Sequence, residues 1–213
     1  MIDHLIYAAP GLPSAIEDFE REYGVAPSLG GRHAGFGTRN ALVGLGPDIY
    51  LEIMALDPEQ HVPPSRRFFG LDDSFAPRFA GWCARASRPL AETVEIARDA
   101  GCDLGDILSM SRTRPDGTTL SWTLTSPFAA REGGVLPFYI DWGNSAHPAS
   151  ILPPALLLVS LTAVHPDADR IRAVLAALGE REVRVEEGPE PLLDVTLRNP
   201  ATNREWRRRG VQI

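Results

Sequence analysis

The chain has 213 residues, 44% of them hydrophobic and 23% charged, enough to bury a good core in one large domain or two small, tightly joined ones. Its formal net charge of −7 and pI near 5.2 argue against non-specific nucleic-acid binding, which needs a cationic surface. All 21 Lys-plus-Arg positions are arginine, which excludes Schiff-base chemistry on a lysine and a P-loop lysine. The two cysteines, Cys83 and Cys102, follow no metal or redox spacing and read as reduced core residues. The opening Met1-Ile2-Asp3-His4 has no basic stretch leading into an apolar one. The longest apolar run, Ile151–Val159, is broken by Pro153 and Pro154. A cytoplasmic protein with no membrane partner is the expectation.

In chain order, the first segment opens with a strand over Ile2–Ala8. A helix is expected over Ser14–Tyr23, with Ile16, Phe19 and Tyr23 on one face, Ser14 as N-cap and Gly24 as the stop. Strands follow over Asn40–Leu45 and Ile49–Ala55, split by Gly46-Pro47-Asp48. The second segment repeats the order. It has a strand over Phe79–Ala86, a helix over Leu90–Ala100 stopped by Gly101, and strands over Ile107–Arg112, Thr118–Ser126 and Leu136–Trp142. Pro115-Asp116-Gly117 is a turn between the first two of these. A third segment has a strand over Leu156–Val164, a helix from His165-Pro166-Asp167 to Leu178 ended by Gly179, and strands over Val183–Glu187 and Leu192–Arg198. The tail carries Arg204, Arg207, Arg208 and Arg209. It reads as a surface terminus or as a contact for an acidic partner. Strand–helix–strand units in series predict an α+β fold, with curved sheets around a cleft and helices outside.

Several words in the sequence carry a closer match. Ile2-Asp3-His4-Leu5 opens the first strand, and the glycine-rich stretch Gly30–Leu42 follows the first helix. Tyr50-Leu51-Glu52 lies on a strand, and Pro137–Gly143 with His147-Pro148 ends the second segment. Together these resemble the glyoxalase-like domain family of the vicinal-oxygen-chelate superfamily. The resemblance implies tandem βαβββ modules, about 1–60 and 78–145, in a unit of residues 1–150. Residues 151–213 are expected to form a C-terminal partial βαββ unit packed on it.

In that superfamily each module supplies up to two metal ligands, from its first and last strands. Carried over by position, these are His4 and Glu52, then Trp82 and Asp141. An indole has no lone pair to offer a metal, so the ligand set becomes His4, Glu52 and Asp141. Such a set suits a divalent ion, with zinc, manganese, iron, nickel and magnesium not distinguished, and no nucleotide cofactor is implied. Without metal, the carboxylates Glu52 and Asp141 could act as general bases, and Glu52 and His4 are the catalytic candidates.

Alternation puts Glu52 on one strand face with Tyr50 and Met54, which is either solvent or the cleft. It puts Asp141 on the face of Tyr139. His4 is either a satisfied core histidine or a cleft residue. His33 and Arg39 lie in a loop that either only connects or covers the cleft, where Arg32 could join them in meeting an anionic or carbonyl ligand. Trp82, Trp142 and His147 are further substrate-contact candidates. The functional expectation is an enzyme acting on a small oxygen-rich molecule. The alternative is a non-catalytic binding or sequestration protein of the same fold, and pairing into a homodimer is also implied by the resemblance.

Overall fold

The computed structural model describes residues 1–63, 67–71, 75–113, 116–129 and 132–210. The first module comprises β1 (Ile2–Ala8), α1 (Leu12–Tyr23), β2 (Ser28–His33), β3 (Thr38–Gly44) and β4 (Tyr50–Leu56). The second comprises β5 (Arg78–Arg85), α2 (Leu90–Asp99), β6 (Ile107–Thr113), β7 (Thr119–Thr125) and β8 (Phe138–Asp141). The eight strands close into one barrel in the order β1-β4-β3-β2-β6-β7-β8-β5. Each module pairs its first strand parallel to its last: β1 with β4, and β5 with β8. The modules meet at two antiparallel seams, β1 with β5 and β2 with β6. Closure removes the free strand edges and places the expected cleft inside the barrel.

The third unit is larger than the sequence suggests. It contains β9 (Leu157–His165), α3 (Ala168–Leu178), β10 (Arg184–Glu187), β11 (Leu192–Arg198) and β12 (Glu205–Arg209), with sheet order β10-β9-β11-β12. The extra strand β12 comes from the arginine-rich tail, whose residues 211–213 lie outside those described. Its arginines are occupied within the chain. Arg207 and Arg209 reach Asp194 at 2.7 and 3.1 Å, Arg208 pairs with Glu22, and Arg204 lies over the Trp206 ring.

Two other expectations shift. The glycine-rich stretch is no connecting loop: it forms β2, a turn and β3. Gly35 and Gly37 take positive φ in that turn (79° and 68°), which Cβ-bearing residues avoid. The first helix starts at Leu12, because Pro13 suits a first helical turn. Ser14 donates its hydroxyl to Gly11 O instead of capping. The expected turn at Pro115-Asp116-Gly117 is described only from Asp116, where the carboxylate accepts from Thr118 N–H; Pro115 lies outside the described residues.

Among the described residues there are two apolar cores. One lies outside the barrel wall and joins α1, α2, α3 and the second sheet through Leu5, Phe19, Leu51, Ile53, Trp82, Tyr139, Ile171 and Leu193. The other fills the barrel with Ile6, Tyr50, Met54, Cys83, Met110, Trp122, Phe138, Ile140 and Trp142. Strand alternation sorts residues between them. Among the described residues, no helix is long and apolar enough to cross a membrane.

Glu180, just after α3, fastens the third unit to the barrel wall. It is buried and accepts from the Tyr139 hydroxyl of β8 at 3.2 Å. Glu180→Ala leaves that hydroxyl buried without a partner and should destabilise the protein by about 1–3 kcal/mol. Urea denaturation measures this, and a midpoint matching that of the wild type would show the clasp to be unimportant.

Candidate functional site

The barrel interior leaves a small cavity of about 40 Å³. Apolar side chains line most of it: Ile6, Met54, Phe69, Trp122, Phe138 and Ile140 among them. The polar groups are His4, His33, Asn40, Glu52 and Arg112. Glu52 on β4 is only 5% exposed, so the face it shares with Tyr50 and Met54 is the cavity and not solvent.

Glu52 is approached from both sides. His4 Nε2 lies 3.6 Å from Oε2 and His33 Nε2 lies 3.7 Å from Oε1. Asn40 donates from Nδ2 to Oε1 at 2.7 Å. The Asn40 carbonyl accepts from Arg112 Nη1 at 2.9 Å and from Gly31 N–H at 2.9 Å. An amide therefore stands between a carboxylate and a guanidinium. The glycines of β2 make room for it. A Cβ on Gly30 would sit 2.0 Å from Asn40 Oδ1, and one on Gly31 would sit 2.7 Å from Arg112 Cγ.

Behind His4 stands Asp3, fully buried, with four donors on its two oxygens. Oδ1 accepts from His4 Nδ1 at 2.8 Å; Oδ2 accepts from Arg85 Nε at 3.0 Å, Trp142 Nε1 at 3.1 Å and His147 Nε2 at 3.1 Å. Burial alone would push this carboxyl up. The hydrogen bonds and charges of His147 and His4 outweigh it and hold Asp3 well below the ordinary carboxylate range. A register shift between Ile2 and His4 against β5 explains its placement: a bulge lets the adjacent Asp3 and His4 side chains meet. With Nδ1–H committed to Asp3, His4 turns Nε2 toward Glu52. The ring stacks on Tyr50 at 4.6 Å between centroids.

The sequence candidates divide. His4, Glu52, His33 and Trp142 line the cavity. His147 stands behind it, holding Asp3 while its Nδ1 accepts from Ala149 N–H. Asp141 does not join His4 and Glu52. It shares the outward face of Tyr139, is exposed, and accepts from Gly143 N–H at 2.9 Å. Trp82 also points outward, into the core behind the wall, where Nε1 donates to Val135 O at 3.0 Å. Arg39 alternates with Asn40 and faces a surface groove beside Asp57. Arg32 pairs with Asp57 and Glu59 outside the barrel. Asp3, Asn40 and Arg112 are the site residues that the sequence reading missed.

Strand pairing also resets the ligand comparison between modules. His4 pairs with Tyr50 across β1 and β4 as Cys83 pairs with Phe138 across β5 and β8. Cys83, not Trp82, thus answers His4, and Ile140, not Asp141, answers Glu52. Because Ile140 has no donor atom, the set does not fit a four-ligand metal centre. Asp3, His4 and Cys83 do place potential ligand atoms within 4.8 Å of one another.

Burial pushes His33 down to about 4; the pull of Glu52 opposes this, and the Arg112 charge adds to it. His33 therefore stays neutral in the fold while an unfolded histidine takes up a proton near its ordinary 6.5. The sign follows: the unfolded state binds more protons between these values, so stability is full above about 6.5 and is lost as pH falls toward 4. His33→Gln should flatten the pH dependence of the urea midpoint in this window, where one proton is worth at most about 1.4 kcal/mol per pH unit. Parallel wild-type and variant curves would rule out a buried neutral His33.

A model of the "Glyoxalase-like domain" family matches residues 2–179. No curated protein matches the sequence at a significant level. Among solved structures, a hypothetical protein from Staphylococcus aureus aligns over 97% of both chains at 13% identity with a TM-score of 0.64, a likeness of fold. A methylmalonyl-CoA epimerase aligns with 69% of this chain and 97% of its own, at 15% identity and a TM-score of 0.41. A halotolerant catechol dioxygenase aligns with 93% of this chain and 69% of its own, at 10% identity and a TM-score of 0.42. With the family model spanning most of the chain, the chain belongs to the glyoxalase-like domain family.

Proposed function

We propose that the protein is an enzyme that moves a proton on a small, oxygen-rich carbonyl compound bound inside the barrel. The observation that carries this reading is the meeting of Glu52 and His4 Nε2 at 3.6 Å in a buried, mostly apolar cavity. A carboxylate screened from water is a stronger partner for a substrate C–H proton than one at the surface. Asp3 accepts Nδ1–H, so a proton on His4 Nε2 points into the cavity, where it can meet the carbonyl oxygen. Glu52 then takes the proton next to the carbonyl, and His4 stabilises the charge that develops on oxygen.

A second reading is supported by the ligand cluster. A divalent ion held by His4 and Cys83, with Glu52 alongside and Asp3 behind the histidine, would polarise the same carbonyl when bound. Cobalt(II) titration tests it: a thiolate charge-transfer band that disappears in Cys83→Ala supports the ion, and its absence from the wild type counts against one.

The first reading is tested by hydrogen–deuterium exchange next to the carbonyl of small ketones and 2-oxo acids, followed by NMR. Glu52→Gln should slow exchange by about 100-fold or more. Asp3→Asn should slow it by about ten-fold and shift its pH profile, because His4 loses its orienting acceptor. Tryptophan quenching by these compounds with no exchange in the wild type would favour the sequestration role instead.

A further inference from the structure

The cavity holds a cation that the proton-transfer scheme does not use. Arg112 on β6 is 4% exposed and lines the cavity. Among the described residues no carboxylate lies within ion-pair distance of it. Its hydrogen bond runs from Nη1 to the neutral Asn40 carbonyl, and Nε is buried without a partner. A buried guanidinium is costly unless an anion compensates it. Glu52 could have compensated it, but Asn40 stands between them, and Gly30 and Gly31 provide the space that this arrangement requires. Arg112 is thus held in place with its charge unspent.

We propose that Arg112 receives a carboxylate on the ligand, which makes the substrate class small carbonyl acids of the 2-oxo acid type. This rests on the reading of the cavity as the binding site. A guanidinium presents paired N–H groups that match a carboxylate. The remaining wall, including Trp122, Met110 and Leu124, suits an apolar substituent. One cation in a narrow barrel suits a single carboxylate. The carboxylate then meets Arg112, the carbonyl beside it meets His4, and the C–H next to the carbonyl faces Glu52.

The test uses pyruvate, 2-oxovalerate and phenylpyruvate, each beside its methyl ester, with Trp122 and Trp142 fluorescence as the readout. At least one acid should bind the wild type about ten-fold or more tightly than its ester, the worth of one charge-assisted contact. Arg112→Gln should bring acid and ester to equal affinity, and Arg112→Lys should keep part of the preference. Glu52→Gln should keep the preference while losing exchange, so a failure of the proton-transfer reading is told apart from a failure here. If Arg112→Gln does not fold, the wild-type comparison decides alone. Equal affinity for acids and esters, a preference that survives Arg112→Gln, or no binding of any pair overturns the proposal.

Discussion

The site depends on the Asp3 carboxylate more than on any other single group. A carboxylate without water is tolerable only when its lone pairs are taken, and here four donors take them. The donors come from β1 itself, from Arg85 on β5, and from Trp142 and His147 after β8. One charge thus joins the start of the first module to both ends of the second. It also sets which His4 nitrogen faces the cavity. The strand seam, the barrel end and the orientation of the imidazole share one cause.

A second chain of contacts, through Asn40, organises the opposite side. Arg112 donates to the amide oxygen and the amide nitrogen donates to Glu52, linking β6, β3 and β4. The polar groups therefore sit on β1 to β4 and β6, while β7, β8 and β5 contribute Trp122, Phe138, Ile140 and Cys83. The duplicated modules build a nearly symmetric barrel around an asymmetric interior. Where the first module has Tyr50 and Glu52 on its last strand, the second has Phe138 and Ile140. One half holds most of the polar groups and the other an apolar wall.

Most of the fold was legible because strand alternation, glycine stops and the repeated element order are local signals. Alternation also grouped Glu52 with Tyr50 and Met54, and Asp141 with Tyr139. It could not say which face was the interior, since that is decided by closure of strands far apart in sequence. This is why Glu52 was placed usefully and Asp141 was not. Asp3 was hidden by the bulge, which breaks the alternation that would set it opposite His4. Arg112 and Asn40 lie 72 positions apart, and a polar residue within a strand gives no hint of a partner at that distance. The β2 strand was masked by its glycines, which look like loop residues until the side chains packed against them are seen.

The charge balance of the interior argues that the spacing amide matters. Asp3 is compensated at the barrel end by Arg85, and His33 stays neutral. That leaves Glu52 and Arg112 as opposite charges held apart by Asn40. A direct ion pair between them would satisfy both and leave neither free to act. The amide keeps the carboxylate available for a proton and the guanidinium available for an anion, while its own dipole favours both neighbours. In the proposed scheme a ligand carboxylate meets Arg112 and a carbonyl meets His4, so the spacing amide sets where each end of the ligand binds.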